Sequence, residues 1–285
     1  MTALGLALTL SASVCWAALD ALRKGLTAGL TPTALAAVLA LGQLPFFLGW
    51  WWWTGAPGPQ AGYWRPGSVD LVLNLGSNVL FAWALLRSPL SLTIPMLSLT
   101  PVFAALGGSL VLAEQPAPSQ GLGIALVVGG AVALQGGPGH LLGALRREPG
   151  VVAMGAVALA WAGVAVADKA CLAHAAVPVH ASVQLAGVAL GLGAVLALRG
   201  RLRELAGVRQ LPGLTVAALV AAACATGLQL LAFQRVLVSL VEATKRAIGL
   251  AAALLNGRAF FDEEVTPGQW AAVGVMTIGV TLLVS

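Results

Sequence analysis

Charged side chains are scarce in this chain of 285 residues. Asp, Glu, Lys and Arg together make up 9% of the sequence, whereas hydrophobic residues make up 59%. A soluble domain carries about a quarter charged residues, so this chain cannot cover itself with a water-soluble surface. The 15 Lys and Arg residues are scattered and form no basic patch, which argues against a nucleic-acid partner.

Cysteine and histidine are also rare. The three cysteines stand alone in apolar segments, without a CxxC motif or a histidine at metal-ligand spacing. We interpret them as packing residues. The three histidines lack a ligand partner at useful spacing, so the sequence assigns them no chemistry and predicts no metal and no cofactor. These six residues are Cys15, Cys171, Cys224, His140, His174 and His180.

Long apolar segments are abundant, and the mean hydropathy is +0.93. Because one span needs about 20 apolar residues, we predict an all-α integral membrane protein with about ten transmembrane helices. Proline and glycine clusters at 54–68 and 136–149 predict turns at the membrane face. The predicted spans are 3–22, 33–53, 69–87, 90–112, 119–136, 150–168, 178–198, 213–234, 237–259 and 268–284.

The sequence contains a weak internal repeat. Four residues of the first half recur in the second half. Two of them are separated from their counterparts by 145 residues (161 − 16 and 169 − 24) and the other two by 149 residues. We predict two domains, a five-helix repeat at 1–137 and another at 150–285. Because five is odd, the second repeat starts on the opposite side of the membrane and is inverted, an arrangement that favours a carrier. The recurring residues are Trp16, Lys24, Glu114 and Gly130, then Trp161, Lys169, Glu263 and Gly279.

Two segments resemble the drug/metabolite transporter superfamily, specifically its EamA-like members with ten helices. They run from Leu99 to Gly130 and from Leu254 to Val280. In that family, a helix with a central proline leads to a glutamate at the turn, and the next helix carries periodic glycine. The resemblance implies a ten-helix fold that transports small metabolites. The matching residues are Pro101, Glu114, Gly130, Glu263 and Gly279.

A basic pair provides a second, narrower resemblance, to the sugar-phosphate and nucleotide-sugar translocators of the same superfamily. Lys245 and Arg246 match the Lys-Arg pair that holds the phosphate of the substrate on the ninth helix of those proteins. A further basic residue of those translocators falls on Leu97 here. The resemblance implies a substrate with an anionic group.

The ninth predicted span contains Glu242, Lys245 and Arg246. A Lys or Arg at the centre of a membrane helix costs about 2.5–3.5 kcal/mol or more, so these side chains are expected to face the bundle interior. Their spacing places them on one helical face, which Gly249 and Ala253 continue with small side chains. Two cations and one carboxylate leave a net charge of +1, which an anionic substrate would neutralise. The alternative is a buried ion pair with a purely structural role.

Other polar residues and prolines of the spans complete the predicted site. Polar groups at depth predict either hydrogen bonds between helices or substrate contacts. Charged helix ends and central prolines predict a gate or, alternatively, interfacial ion pairs and simple kinks. The substrate-binding candidates are Asn74, Asn78, Gln229, Thr93 and Ser98, and the gating candidates are Asp20, Lys24, Lys169, Pro95 and Pro101.

The sequence therefore predicts a secondary transporter and no enzyme, since no catalytic constellation is visible. The predicted partners are a small anionic metabolite, the lipid bilayer, and a proton or counter-substrate. An exporter of amino acids or neutral drugs, a lipid flippase and a membrane-embedded lipid-modifying enzyme are the alternatives. We expect a monomer or homodimer in a bacterial inner membrane. Loops on the side opposite the N-terminus contain ten basic residues, and loops on the same side contain three. Because basic loops usually face the cytoplasm, this count favours an external N-terminus. The EamA-like resemblance instead implies cytoplasmic termini, so the orientation stays open.

Overall fold

A computed structural model describes residues 2–88, 90–134, 136–261 and 266–284. The described residues form helices and turns without a β-strand, and helices stand at all ten predicted spans. The predicted all-α membrane fold is confirmed. The α-helices are α1 (Ala3–Leu26), α2 (Pro32–Thr54), α3 (Trp64–Arg87), α4 (Leu90–Thr93), α5 (Thr100–Val111), α6 (Pro118–Leu134), α7 (Gly137–Arg147), α8 (Pro149–Cys171), α9 (Val177–Leu198), α10 (Pro212–Phe233), α11 (Val238–Phe261) and α12 (Pro267–Val284).

Six of these helices are long and apolar enough to cross a bilayer by themselves: α1, α2, α3, α8, α9 and α10. The α6 and α7 helices form a bent pair, α12 is shorter but apolar, and α11 is long but carries the charged residues. Proline lies at or next to the first position of several helices, including α2, α8 and α10. A proline there sacrifices no helical hydrogen bond, so it marks where the helix begins.

The fourth span is not one continuous α-helix. It consists of α4, a 3₁₀ segment at Ile94–Leu99, and α5. Pro95 and Pro101 lie at the beginnings of the second and third parts, where each removes a backbone N–H donor. The loosened backbone expected from these two prolines is therefore present.

The segment 136–149, predicted to be a turn, contains α7 instead, so that prediction is wrong. Leu141, Ala144 and Leu145 are spaced as neighbours on one helical side. They pack into the same apolar cluster as the buried Val151 of α8. This tertiary contact stabilises a helix in a segment whose glycines and proline alone indicate a turn.

Helices that contact each other in the bundle have counterparts that also contact each other. The counterparts are found by replacing each of the first five spans with its equivalent among the last five, and the reverse. The α1–α10 pair corresponds to α8–α3, and α1–α11 corresponds to α8–α5. The α2–α9, α5–α11 and α6–α12 pairs each join equivalent spans. Two related halves would produce this pattern, although the predicted boundaries 1–137 and 150–285 stay a prediction.

Glycine lets α6 and α12 approach closely. A Cβ atom added at Gly123 would lie 2.7 Å from the carbonyl oxygen of Gly279, and one at Gly279 would lie 2.8 Å from that of Gly123. Contacts this short require that neither residue has a side chain. Small residues are a common means of packing helices inside lipid, where apolar burial adds little.

The loops lie on two faces of the bundle. The first face holds 55–63, 112–117, 172–176 and 234–237, and there the N–H of Gln60 donates to the His174 carbonyl at 3.1 Å. The second face holds 27–31, the α3–α4 junction, 136–148 and 199–211. There the Thr31 hydroxyl donates to Glu204 at 2.6 Å, and Ser88 donates to Glu148 at 2.7 Å.

Candidate functional site

The charged residues of α11 contact α10 inside the bundle. The Lys245 ammonium lies 2.5 Å from Glu242 Oε1 and donates to Gln229 Oε1 at 3.2 Å. Glu242 and Gln229 are 3% and 8% exposed. The structure thus brings these three predicted residues together, and one of the two cations has a protein carboxylate as partner.

Trp16 of α1 adds an aromatic surface to the same cluster. The Lys245 ammonium lies 5.4 Å from the centre of the Trp16 ring, within the range of a cation–π contact. The indole N–H is buried and forms no hydrogen bond with the part of the chain that the structure describes. The sequence singled out Trp16 only as a repeat marker, because nothing in the local pattern of α1 indicates that it faces α11.

Arg246 has no hydrogen-bond partner for its buried Nε–H among the described residues. The charges of Glu242 and Asp20 are near enough to interact with the guanidinium electrostatically. A buried cationic donor without an acceptor is costly. Lys245, Arg246 and Glu242 together therefore carry a net positive charge. The Nε–H of Arg246 is a donor to which an anion could bind.

Open space adjoins the basic pair. A Cβ atom added at Gly249, one turn beyond Lys245 and Arg246, would meet no atom within 4 Å. Ala253, on the next turn, is exposed. The small side chains on this face of α11 leave room beside the cations, as the sequence predicted.

Two predicted substrate ligands are used within their own helix. Asn78 Nδ2 donates to both the backbone carbonyl and the side-chain oxygen of Asn74, at 2.8 Å and 2.9 Å. Their four-residue spacing brings the two amides together on α3, and these bonds join neither of them to another described helix. Thr93 and Ser98 are buried in the broken fourth span, and the Pro95 side chain lies outside the described part of the chain.

Lys169 connects α8 to the loops that follow α5 and α10 at the first face. Its ammonium forms an ion pair with Glu114, in the loop after α5, and donates to the Val236 carbonyl at 2.7 Å. The other Glu114 oxygen accepts the backbone N–H of Val238 at 2.9 Å, at the beginning of α11. Lys169 thus connects α8 to two segments that must separate if the first face opens.

Asp20 forms an exposed ion pair, unlike Lys169, whose ion pair with Glu114 is largely buried. It pairs with Arg23 at 3.2 Å, and the two side chains are 65% and 36% exposed. Exposed pairs contribute about 0–1 kcal/mol. The Asp20 pair is therefore a weak contact at the end of α1, near Lys24.

A buried polar cluster that the sequence did not predict lies between α3, α8 and α9. His180 is 1% exposed; its Nε2 lies 2.8 Å from Asp168 Oδ1 and 3.8 Å from Asp70 Oδ2. Its Nδ1 lies 3.0 Å from the Tyr63 hydroxyl. The prediction that His180 has no ligand partner is wrong. Its partners lie outside α9, so sequence spacing does not reveal them. Cys171 is also near, with its sulfur within 4.8 Å of His180 and Asp70 ligand atoms.

Residues 3–135 match the sequence profile of the EamA-like transporter family. Residues 3–135 are therefore similar to EamA-like transporters. The family resemblance is thereby confirmed, although the match does not test the role of the Lys-Arg pair. No curated protein matches the EamA-like chain.

The crystal structure of another protein has the same fold as this EamA-like chain. The two align with a TM-score of 0.75 at 19% sequence identity, over 99% of this chain and 96% of the other. Because the alignment extends over nearly the whole chain, the shared fold includes the half that follows the matched profile. At this identity the likeness concerns the fold alone.

Proposed function

We propose that this EamA-like protein is a secondary transporter for a small metabolite with an anionic group, working by alternating access between two inverted halves. The EamA-like domain indicates a membrane transporter of the drug/metabolite type. The anionic substrate is supported chiefly by Arg246, whose buried Nε–H lacks an acceptor beside a second cation.

The basic cluster contains the groups that an anion needs. Arg246 provides a planar fork of donors that fits a carboxylate or phosphate, and Lys245 provides a mobile point charge. The buried indole N–H of Trp16 is a further donor without a partner. In the structure, the Glu242 carboxylate forms an ion pair with the Lys245 ammonium. An arriving anion competes with Glu242 for this ammonium, which keeps the affinity moderate and lets the substrate leave.

Alternating access is supported by the exchangeable pairing of the helices and by the contact between halves at the first face. The Lys169–Glu114 ion pair holds the first face closed, so the transporter must break it to open there. We propose the bilayer of a bacterial inner membrane as its location and a proton or counter-substrate as its coupling partner.

Counterflow in proteoliposomes tests the proposal. The probes are inorganic phosphate, phosphoenolpyruvate, succinate and leucine, each in labelled form. We expect exchange of at least one anion and none of leucine. Arg246→Gln removes charge-assisted hydrogen bonds worth about 1.5–3 kcal/mol, so the affinity for the exchanged anion should fall about 10- to 150-fold.

Arg199→Gln is the matched control, because Arg199 is exposed on the second face. This variant should exchange the anion as the unmodified protein does. Exchange of leucine alone, or unimpaired anion exchange by the Arg246 variant when it is folded, would contradict the proposed anion site.

A further inference from the structure

The polar cluster between α3, α8 and α9 has no part in anion binding, yet it contains the most deeply buried carboxylate among the described residues. Asp70 is 0% exposed, and neither of its oxygens has a hydrogen-bond donor. Ionisable groups inside a membrane bundle are costly and usually functional. A buried carboxyl group without a donor is costly when it is charged, so it is stable when it is protonated or binds a cation.

The hydrogen bonds around His180 assign its proton. Gln184 Nε2 donates to the Tyr63 hydroxyl oxygen at 3.2 Å and to the Gly67 carbonyl at 2.9 Å. The Tyr63 hydroxyl is then left to donate its own proton to His180 Nδ1. The imidazole proton therefore lies on Nε2, where it is donated to Asp168 at 2.8 Å. This arrangement assigns the tautomer of the ring from its hydrogen bonds.

The cluster contains the two carboxyl groups of Asp70 and Asp168, and no described Lys or Arg forms an ion pair with either. The titratable groups that face it are Tyr63 before α3, Asp168 and Cys171 from α8, and His180 from α9. Lys169, next to Asp168 in the chain, turns instead to Glu114. Two buried carboxylates at short range cannot both stay charged without a bound cation.

We propose that Asp70, together with Asp168 and His180, binds one exchangeable proton that this transporter moves along with its substrate. This coupling role rests on the proposed transport function, whereas proton binding does not. In the loaded state the Asp70 carboxyl holds the proton. On release the O–H bond breaks, the carboxylate keeps the electron pair, and the proton passes to water by way of Asp168, whose side chain is 15% exposed.

The position of Asp168 connects proton release to the gate. Asp168 and Lys169 are consecutive residues at the end of α8, and Lys169 holds the first-face contact with Glu114 and Val236. Opening of the first face breaks that contact and moves the same helix end. The movement admits water to Asp168, so the proton can leave only on the side to which the transporter is open.

A divalent metal ion is the competing occupant, because ligand atoms of Asp70, Cys171 and His180 lie within 4.8 Å of one another. Both nitrogens of the His180 ring are already hydrogen-bonded, to Tyr63 and to Asp168. No imidazole lone pair is therefore free for a metal. A proton needs no such lone pair, so the geometry favours the proton.

Infrared difference spectroscopy during a pH titration of the protein in nanodiscs measures the proton without any transported solute. We expect a protonated-carboxyl band near neutral pH that shifts in heavy water and is lost in Asp70→Asn. Asparagine has the shape of a protonated aspartate, so folding should be retained. Glu204→Gln is the control and should keep the band, because the Glu204 carboxylate is held by Arg201 on the second face.

Proteoliposomes test the coupling with the same four solutes that test anion exchange. With the membrane potential clamped at zero, one coupled proton gives about tenfold accumulation of the carried anion per unit of pH difference. Asp70→Asn should abolish this accumulation while exchange persists. If no anion is carried but the band disappears in Asp70→Asn, the proposed anion transport is contradicted and the proton site stands.

Three results would overturn the proton site. The first is the absence of a protonated-carboxyl band in the unmodified protein, which needs no variant. The second is a band that survives in folded Asp70→Asn. The third is stoichiometric binding of Zn²⁺ or Mn²⁺ that is lost in this variant. Undiminished accumulation by Asp70→Asn would refute the coupling alone.

Discussion

Glu114 connects the loop after α5 to α8 and α11 at the first face, and its replacement by glutamine tests whether this contact controls opening. The carboxylate is 8% exposed in its side chain and pairs with Lys169, which is 23% exposed. Glutamine keeps an oxygen for the Val238 backbone N–H. The substitution therefore removes the negative charge while leaving the beginning of α11 bonded.

The size of the effect follows from what Lys169 loses and keeps. Removing one partner of a fully buried ion pair costs about 3–5 kcal/mol. Lys169 has some access to water and keeps its bond to the Val236 carbonyl, so the loss of one charge-assisted bond, about 1.5–3 kcal/mol, is the better estimate. Glu114→Gln should shift the equilibrium toward an open first face about 10- to 150-fold.

The thiol of Cys171 reports this opening. It is 0% exposed at the end of α8. In a protein with Cys15→Ala and Cys224→Ala, the rate of Cys171 labelling by N-ethylmaleimide should rise at least tenfold in Glu114→Gln. Thermal unfolding measured in parallel shows that the variant is folded at the labelling temperature.

Asp20→Asn is the matched carboxylate control, because its pair with Arg23 is exposed and contributes about 0–1 kcal/mol. It should leave the labelling rate within about fivefold, as such a small energy implies. An unchanged labelling rate in folded Glu114→Gln would refute the reasoning that the ion pair holds the first face closed.

Three more outcomes are expected. Gly279→Val should lower the thermal stability by about 1–3 kcal/mol through overpacking, whereas Gly274→Val, on an open part of the same helix, should not; equal melting temperatures would contradict the close packing. Trp16→Leu removes the ring under Lys245 and should weaken anion affinity in counterflow about 2- to 30-fold, with partial recovery in Trp16→Phe; full affinity in the leucine variant would exclude a role for the ring. Glu263 lies outside the described residues, but the repeat predicts it as the second-face counterpart of Glu114. Glu263→Gln should therefore favour an open second face and slow the labelling of Cys171. Faster labelling would count against inverted halves.

Features that depend on neighbouring residues could be predicted. The apolar segments predicted the helices, and Pro95 and Pro101 predicted the loosened fourth span. The three-residue spacing of Glu242 and Lys245 predicted their shared face, and the two side chains form an ion pair. Helical geometry determines these relations within one or two turns, whatever the helix packs against.

Predictions failed where a distant contact decides the outcome. Local turn residues suggested no helix at 136–149, but α7 forms there because Ala144 packs into the cluster that includes Val151. His180 was expected to have no ligand partner, but Tyr63 and Asp168 contact it from outside α9. In both cases the deciding residues are distant in the sequence, so the local pattern does not reveal them.

By itself, the sequence determined a bundle of membrane helices with an EamA-like pattern and a costly basic pair in α11. Only the tertiary structure decided that Trp16 lies beside Lys245 and that Asp70, Asp168 and His180 meet in one buried cluster. The physical reason is that apolar composition drives a helix into lipid without specifying its neighbours. Close fits between small residues and a few polar contacts select those neighbours, and these can be recognised only when both partners are in place.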